Sequence, residues 1–354
     1  MTKIIGNEET LSQITIAGKS ATARNKAIPH MLLSGAAGCG KTTTARFVAS
    51  RIGSDFINLS YDAIKKRSDV VSLIHQLDAT GYDKYGVKVD RIRPTVIFID
   101  EIHGLGIVAQ EYLGILMEET KISAPVNEIR RSAPANRNIE GIKGVENESA
   151  DMWSPEFTLI GATTNDGKLS KPFRDRFKLR FVFAPYPLDK AGEIVKVHAE
   201  RLGIQINERA IYEIAKRGRG VPRILVTLLE RCQDIAIVSN SDVVTYEVTK
   251  NTFERLGVDN NGLTRTDIEL LKALHEVGEP VGLENLAVRL NESQKVLSET
   301  LEPYLIQQGL IVRLSRGRKI TEKGIEYLSE HGHIGDQGEK DVVHVLTPGL
   351  DRRL

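Results

Sequence analysis

A glycine-rich loop, with an apolar run before it and a helix-like segment after it, is the stretch whose residues could do the most definite chemistry. The loop covers residues 35–42 and reads GAAGCGKT. Backbone N–H groups of such a loop can surround a phosphate chain, while a lysine reaches the outer phosphates and a threonine hydroxyl holds Mg²⁺. The positive end of the following helix points at the same anion. We therefore predict a nucleoside triphosphate site that includes Gly35, Gly38, Gly40, Lys41, Thr42 and Thr43.

An acidic pair after a second apolar run supplies the other half of such a site. Residues 96–99 read VIFI, and Asp100 and Glu101 follow directly. Ligands bind at the carboxyl edge of parallel sheets, so a buried strand here would place both carboxylates beside the loop. We expect Asp100 to hold Mg²⁺ through water and Glu101 to polarise the attacking water, the alternative being a solvated acidic turn. His103 has no partners at metal-ligand spacing, and we expect a structural or surface histidine and not a metal ligand.

Polar residues after later strands could also contact the phosphates. The hydroxyl of Thr164, at the end of GATT, could orient the attacking water, although threonine is common at strand ends. Arg174 and Arg176 in RDRF, and Arg223 in GRGVPRI, carry forked guanidinium groups that suit a terminal phosphate. If RDRF faces a neighbouring subunit, one of its arginines could act there in trans, and a solvated face is the alternative.

The elements that must position these residues are read from the hydrophobic pattern. Five short apolar runs, rich in β-branched and aromatic residues, fit strands of a sheet covered by helices on both faces. They lie at residues 31–33, 56–59, 96–99, 157–160 and 181–183. From residue 188 to 256 only helical periodicity remains, with Asn207 and Asp242 as predicted N-caps.

The last third of the chain has the pattern of a winged helix. After a linker, residues 266–269 (TDIE) fit a capping box, and a later helical stretch should break near Pro303. Residues 310–324 alternate around Arg316, Gly317 and Arg318, which predicts a β-hairpin.

Composition limits the remaining possibilities. The chain has 354 residues, 41% of them hydrophobic, and a formal net charge of +1, so any nucleic-acid surface must be local. Two cysteines fit a reducing compartment. The sequence shows neither a signal peptide nor a run of about 18 apolar residues, and we expect a cytoplasmic protein without a membrane partner.

Taken with stretches further along, these motifs resemble the AAA+ ATPases and, within them, closely the RuvB family of Holliday-junction branch-migration motors. The matching stretches occur in order from about residue 4 to 328. They read IFIDEIH, FTLIGATT, LSKPFRDRFKLR, RGRGVPRI, PVGLENLA, EPYLIQQG and RGRKIT.

The resemblance implies the fold and the site roles. The fold is an α/β AAA+ P-loop domain with a doubly wound parallel sheet (1–186), then a helical lid (187–257), a winged helix (262–330) and a loose tail (331–354). The implied ATP and Mg²⁺ site has a Walker A pair, a Walker B pair, a polar sensor, a trans-acting finger and a second sensor. These are Lys41 and Thr42, Asp100 and Glu101, Thr164, Arg176 and Arg223, with Ile4 and Ile5 beside the adenine.

The implied activity is an ATP-dependent DNA motor that drives branch migration as a hexameric ring. Arg318 matches a basic position of the DNA-facing wing, and we expect phosphate contacts also from Arg313, Arg316, Lys319 and Lys323. An AAA+ initiator or loader that uses ATP as a switch on DNA is the main alternative. A DNA-binding regulator with an inactive ATPase is disfavoured because every catalytic position is filled.

Two features depart from the family pattern. Cys39 lies inside the phosphate loop, where a small apolar filler is the simplest interpretation. Residues 121–156 are longer than the hairpin with which RuvB binds its partner RuvA, and we expect an insertion that the domain core does not need. A partner-docking hairpin is favoured, and a disordered loop or a DNA contact is the alternative. Its notable residues are Arg130, Arg131, Arg137, Lys143 and Trp153.

Overall fold

The computed structural model describes residues 5–24, 26–79, 95–119, 121–132 and 148–334. The chain divides into two compact units, Met1–Tyr246 and Glu247–Leu354. The predicted tail beyond residue 334 lies outside the described residues. Within the described part of the chain, no helix combines the length and the apolar character needed to span a membrane.

Five parallel strands form the central sheet of the first unit, which confirms the predicted α/β class. Its strands in chain order, with two inserted ones, are β1 (Met31–Gly35), β2 (Phe56–Ser60), β3 (Thr95–Asp100), β4 (Lys121–Pro125), β5 (Ser149–Trp153), β6 (Phe157–Thr163) and β7 (Leu179–Phe183). The sheet order is β2-β3-β6-β1-β7. All seven residues of β6 are buried, because it lies centrally with helices on both faces.

Helices cover both faces of this sheet. They are α1 (Glu8–Ala23), α2 (Lys41–Ile52), α3 (Arg67–Ala79), α4 (Ile107–Glu119), α5 (Val126–Ser132) and α6 (Lys171–Asp175). One core cluster includes Ile74, Leu113 and Phe173 from α3, α4 and α6. The second cluster includes Ile14 and Val48 from α1 and α2. Apolar residues on alternate faces of the same strands join one cluster or the other, which fixes each strand in place.

The helical segment after the sheet contains two short strands that the periodicity did not predict. Its elements are α7 (Leu188–Leu202), β8 (Gln205–Ile206), α8 (Glu208–Arg217), α9 (Pro222–Val238), β9 (Val243–Val244) and α10 (Tyr246–Leu256). Asn207 caps α8 as predicted, its side chain accepting a hydrogen bond from the N–H of Ala210. Asp242 as an N-cap is wrong, because the residues after it pair with β8 and the helix begins only at Tyr246.

The second unit contains the predicted winged helix. Its elements are α11 (Arg265–Val277), α12 (Leu283–Leu290), α13 (Gln294–Val296), a π-helical segment (Leu297–Leu301), α14 (Glu302–Gln307), β10 (Ile311–Leu314), β11 (Gly317–Ile320) and α15 (Glu322–Glu330). The π segment and Pro303 interrupt the third helix where a break was predicted. The capping box lies two residues earlier than predicted, because Thr264 and Asp267 make the reciprocal bonds.

A third segment of the chain, at Val281, pairs with the base of the hairpin in the second unit. β10 and β11 pair antiparallel, and the backbone of Arg318 exchanges both its hydrogen bonds with Val281. A Cβ on Gly317 would lie 2.3 Å from the carbonyl oxygen of Val281, so this close approach needs glycine. Gly317 and Arg318 therefore belong to a strand, and the turn itself is at Ser315 and Arg316.

The insertion is partly built into the core of the first unit, so the expectation that the core does not need it is wrong. β4 and β5 pair antiparallel, and α5 follows β4 directly. Ile122, Ala124 and Ile129 are buried in the same cluster as α3 and α4. Removing residues 124–148 would therefore open the core rather than trim a loop. Residues 133–147, with Arg137 and Lys143, lie outside the described residues.

Polar contacts also tie α5 to the domain. Arg67 donates through Nε and one terminal nitrogen to Glu128, at 3.1 and 2.7 Å from the same carboxylate oxygen. The Nε2 atom of the buried His75 lies 3.1 Å from the carbonyl oxygen of Ile129. Composition could not reveal these contacts, because both partners of α5 are on α3, more than fifty positions earlier.

Candidate nucleotide site and basic wing

The phosphate loop connects β1 to α2 with the backbone that its glycines allow. Gly35, Gly38 and Gly40 have φ angles of 136°, 81° and 94°. A Cβ on Gly35 would lie 2.2 Å from the carbonyl oxygen of Phe183, so only glycine fits between β1 and β7. Cys39 is fully buried in the core cluster below the loop, and burial raises the pKa of its thiol. A packing role for Cys39 is consistent with both observations.

Lys41 begins α2 and is the buried cation of the site. Lys41 is 6% exposed, and its Nζ donates to the carbonyl oxygens of Gly35 and Ala36, at 2.6 and 3.0 Å. Burial lowers the pKa of the Lys41 ammonium, while the carboxylates of Glu101 and Asp100 oppose that shift. Among the described residues this ammonium donates to carbonyls alone, and its position at a helix N-terminus suits an anion brought to the loop.

The Walker B carboxylates lie at the end of β3, as predicted. Oδ1 of Asp100 accepts from the N–H of Glu101 at 3.0 Å. Glu101 adopts the left-handed conformation, with φ at 47°, and its side chain turns toward the end of β6. There Oε2 of Glu101 accepts from the hydroxyl and the N–H of Thr164, at 3.0 and 3.3 Å. The structure thus brings Glu101 and Thr164 into direct contact.

One cavity of about 470 Å³ joins these residues to the lid. The Walker A and Walker B residues line one side of it, and the start of α9 lines the other. Arg223 is exposed there, and a Cβ on Gly38 would lie 2.9 Å from the Cβ of Arg223, so the loop and α9 touch. His198, which no sequence motif singles out, lines the same cavity, and burial lowers its pKa.

Hard oxygen donors for a divalent cation are present in this cavity. Thr42 offers a hydroxyl and Asp100 a carboxylate, and both line it. Mg²⁺ prefers such donors and keeps several of its waters. The oxygen donors of the two residues predicted to hold Mg²⁺ are therefore of the kind that this ion binds.

Tyr186 is a residue beside the loop that the sequence reasoning missed. Its hydroxyl accepts from the side-chain amide of Asn7 at 2.7 Å, and a Cβ on Gly6 would lie 2.6 Å from its ring. Its backbone N–H donates to the carbonyl of Gly220, just before α9. Ile5 is buried in this N-terminal segment, while Ile4 lies outside the described residues. The position of Tyr186 three residues after β7, the last strand of the sheet, was the available sequence signal.

Arg176 does not reach the phosphate loop of its own chain. It is bound on the surface of α4, where its terminal nitrogens donate to Glu118 at 3.0 Å and to the carbonyl of Pro172 at 2.8 Å. Its side chain is 21% exposed. A Cβ on Gly114 would lie about 3.1 Å from Arg176 Cδ and Nε, so glycine in the middle of α4 leaves room for the guanidinium group.

The wing presents its basic residues in two different ways. Arg318 is largely buried, at 13% side-chain exposure, and its Nε donates to Oε1 of the buried Glu302 at 2.6 Å. Arg313 contacts the same carboxylate but is half exposed. Arg316 is exposed in the turn, and Lys319 is partly exposed on β11. The Nζ of Lys323 donates to the carbonyl of Gln308.

Comparison with known protein families accounts for nearly all of the described chain. Residues 1–182 match the model of the Holliday junction DNA helicase RuvB P-loop domain. Residues 186–259 match the RuvB AAA lid domain, and residues 260–329 the RuvB C-terminal winged helix domain. The chain belongs to the RuvB family.

Solved structures agree with this assignment to the RuvB family. The RuvB Holliday junction branch migration motor of Thermotoga maritima is 32% identical, with a TM-score of 0.73 over 92% of this chain and 95% of that one. A point mutant of the same protein gives a TM-score of 0.74 over 92% and 96%. The ORC2 protein of Aeropyrum pernix shares the fold alone, at 14% identity and a TM-score of 0.52 over 88% and 89%.

Substitutions of Lys41 and Glu101 should separate nucleotide binding from turnover. Lys41→Ala removes the buried cation of the RuvB phosphate loop and should lower ATP affinity, measured by calorimetry. Glu101→Gln should bind ATP normally but lose about a hundredfold or more in kcat, because the neutral amide cannot polarise water. Glu111→Gln, an exposed change on α4, is the matched control. Near-normal turnover by Glu101→Gln would remove this residue from the mechanism.

Proposed function

We propose that this chain hydrolyses ATP to move DNA and drives branch migration of Holliday junctions as a member of a ring, with six subunits. The observation that carries the proposal is the single cavity lined by Lys41, Glu101 and Arg223. A winged helix on the same chain supports DNA as the substrate. Cys39 and Cys232 form no disulfide, which supports a cytoplasmic location.

The residues divide the work of hydrolysis between them. Lys41 and the loop N–H groups bind the phosphates, and Thr42 and Asp100 would hold Mg²⁺, which would neutralise charge on the phosphate oxygens. Glu101 orients and polarises the attacking water with Oε1, the carboxylate oxygen that accepts no hydrogen bond from Thr164. Arg223 contacts the phosphates from the lid, so that nucleotide occupancy is linked to the position of α9.

ATP turnover in the presence of different DNAs tests the proposal. A motor should show turnover that rises severalfold or more with four-way junction DNA and should convert the junction to its branch-migrated products. The Glu101→Gln variant is the negative control for both. An ATP-dependent switch of the initiator type would hydrolyse about once per DNA-binding event and would leave the junction unchanged.

We further propose that Arg176 completes the site of the neighbouring subunit. Its guanidinium is bound by Glu118 on its own α4, and the Nε atom is buried without a hydrogen-bond partner among the described residues. Glycine inside a helix costs roughly 0.5–1 kcal/mol relative to alanine, yet Gly114 stands there and makes room for this side chain. A surface built to hold one arginine supports a specific role for it.

Mixing two inactive variants tests whether Arg176 acts in trans. Arg176→Ala should bind ATP and lose about a thousandfold in kcat, as expected for an arginine finger. Mixing it with Lys41→Ala subunits should restore part of the activity, because each variant supplies the group that the other lacks. Arg180→Ala, which removes a nearby exposed arginine paired with Asp175, should behave as the parent does. No restoration in rings shown to contain both variants would contradict the trans role.

The wing geometry changes which residues we propose to contact DNA. Arg316, Lys319 and the exposed part of Arg313 are available to phosphates, whereas Arg318 is bound by Glu302. Glu302 is only 1% exposed, and burying a carboxylate is costly unless cationic groups contact it. We propose that Arg318 mainly fixes the hairpin on the helices and that Arg316 makes the phosphate contact at its tip.

The salt dependence of DNA binding distinguishes these two arginines. Arg316→Ala should lower DNA affinity. The slope of log K against log[salt] should become shallower by about 0.9, the change expected when one phosphate contact is lost. Arg318→Ala should lower the unfolding temperature of the wing, since it leaves Glu302 with one cation. Arg289→Ala, an exposed arginine of the same unit that is paired with Glu276, is the charge-matched control. An unchanged slope in Arg316→Ala would place the DNA contact elsewhere.

We also propose that the insertion binds a junction-targeting partner of the RuvA type. Its β5 ends in Trp153, which is 64% exposed and lies 5.4 Å from the Nζ of Lys121. Exposed tryptophans on rigid strands often dominate protein interfaces. Because β4 and α5 are anchored in the core, the tryptophan has a fixed position from which to bind.

Replacing this tryptophan tests the docking proposal without opening the core. Trp153→Ala should weaken binding to a purified RuvA-type protein by about thirtyfold, the loss typical of an interface hot spot of about 2 kcal/mol. Tyr212→Ala, a similarly exposed aromatic on α8, is the control. If partner binding is unchanged while DNA affinity falls, the insertion is a DNA contact and the docking proposal is wrong.

A further inference from the structure

His103 lies beside the Walker B glutamate, Glu101, and has no role in the hydrolysis scheme proposed so far. Its Nδ1 atom is 3.1 Å from Oε2 of Glu101 and 2.9 Å from the hydroxyl oxygen of Thr163. The imidazole is mostly buried, with 15% of the side chain exposed. Thr163 also accepts a hydrogen bond from the N–H of Asn165 at 2.9 Å.

The backbone holds this imidazole in place. Glu101, in the left-handed conformation, begins a short 3₁₀ turn over Ile102–Gly104. Ile102 is fully buried and packs on Gly161 of β6, where a Cβ would lie 2.7 Å from its Cδ1. The anchored neighbour and the closed turn leave His103 little freedom. The turn therefore fixes His103 against the end of β6.

The neighbours of Nδ1 determine which ring nitrogen carries the proton. An unprotonated Nδ1 would direct its lone pair at a carboxylate oxygen, which is unfavourable. With the proton on Nδ1, the ring can donate to Oγ1 of Thr163 at 2.9 Å, and the same N–H faces Oε2 of Glu101 at 3.1 Å. The network therefore assigns the Nδ1–H form to His103.

The polar contacts of the Glu101 carboxylate converge on one oxygen. His103 and both donors of Thr164 reach Oε2, while Oε1 accepts no hydrogen bond from the part of the chain that the structure describes. Such one-sided binding fixes the rotation of the carboxylate. The second oxygen then stays available, in the cavity that Glu101 lines, for the water that it must polarise.

We propose that His103 is a positioning residue for ATP hydrolysis, which donates from Nδ1 to Glu101 and holds its carboxylate in the reactive orientation. This inference rests on the proposed function, because it assumes that Glu101 polarises water. It does not make His103 a catalytic residue, since the imidazole touches neither nucleotide nor water in this role. It replaces the sequence-based expectation of a merely structural histidine.

Three substitutions that differ in the placement of one donor test the proposal. The amide nitrogen of asparagine occupies nearly the place of Nδ1, whereas that of glutamine occupies nearly the place of Nε2. His103→Asn should retain most of the parent kcat, while His103→Gln and His103→Ala should lose about tenfold to a hundredfold, the cost of a misplaced reacting group. The KM for ATP should stay within about twofold in all three, because loss of orientation affects turnover rather than binding.

A double-substitution cycle separates positioning from general destabilisation. In a Glu101→Gln background, His103→Ala should cause no further loss of kcat, since the group it orients is already gone. Equal losses for His103→Asn and His103→Gln, or a full additional loss in the Glu101→Gln background, would overturn the proposal and leave a packing role.

The tautomer provides a readout that does not depend on hydrolysis. In ¹⁵N-histidine-labelled protein, the resonances that disappear in His103→Asn should show the proton on Nδ1. Replacing Glu101 by alanine should shift those resonances. A proton found on Nε2 alone would overturn the proposal even if the parent proved to be an active ATPase. Correct tautomer and shift in a parent without ATPase activity would instead contradict the proposed function and uphold the contact.

Discussion

The position of β6 between β3 and β1 is the constraint on which the whole nucleotide site depends. Parallel pairing sets Ile99 beside Gly161 and Leu33 beside Ala162. The chain leaves all three strands at the same edge, so the phosphate loop, Glu101 and Thr164 must meet there. The absence of a side chain on Gly161 lets Ile102 pack onto β6, which turns the chain after Asp100 and directs Glu101 and His103 toward Thr163 and Thr164. A small change at this glycine would therefore displace Glu101 and His103 together.

The sheet and the phosphate site could be predicted because their signals are local. A strand that is buried on both faces needs a continuous apolar run, and a phosphate loop needs glycine at positions with positive φ. The sequence shows both directly, as in residues 31–42. Asn207 was predictable for the same reason, since an N-cap contacts a backbone N–H only three residues away.

The errors arose where tertiary contacts outweigh local preference. Asp242 looks like an N-cap, but pairing of β9 with β8 keeps the next residues extended. Thr266 and Glu269 have the residue types of a capping box, yet Thr264 makes the bonds, because buried Asp267 can return one to its backbone. The insertion was misjudged because only the fold brings Glu128 to Arg67 and Ile129 to the core. The family resemblance, by which Arg318 was expected to contact DNA, could not reveal the buried carboxylate sixteen residues earlier that binds it; the DNA contact itself stays a prediction.

Glu302 and Glu118 each bind an arginine for which the sequence predicted another partner. The two carboxylates differ in burial, and the two ion pairs therefore differ in how easily they separate. Glu302 is almost fully buried, so its contact with Arg318 persists in any state in which the wing is folded, because separation would leave the buried carboxylate with the half-exposed Arg313 as its one remaining cation among the described residues. Glu118 is 58% exposed, and an ion pair of that kind contributes only about 0.2–1 kcal/mol. A phosphate on a neighbouring subunit, with more charge and several acceptor oxygens, can therefore compete for Arg176 where DNA could not compete for Arg318. Arginine thus forms a lasting ion pair in the wing and a releasable one on α4. The difference follows from the solvent exposure of the carboxylate that binds it.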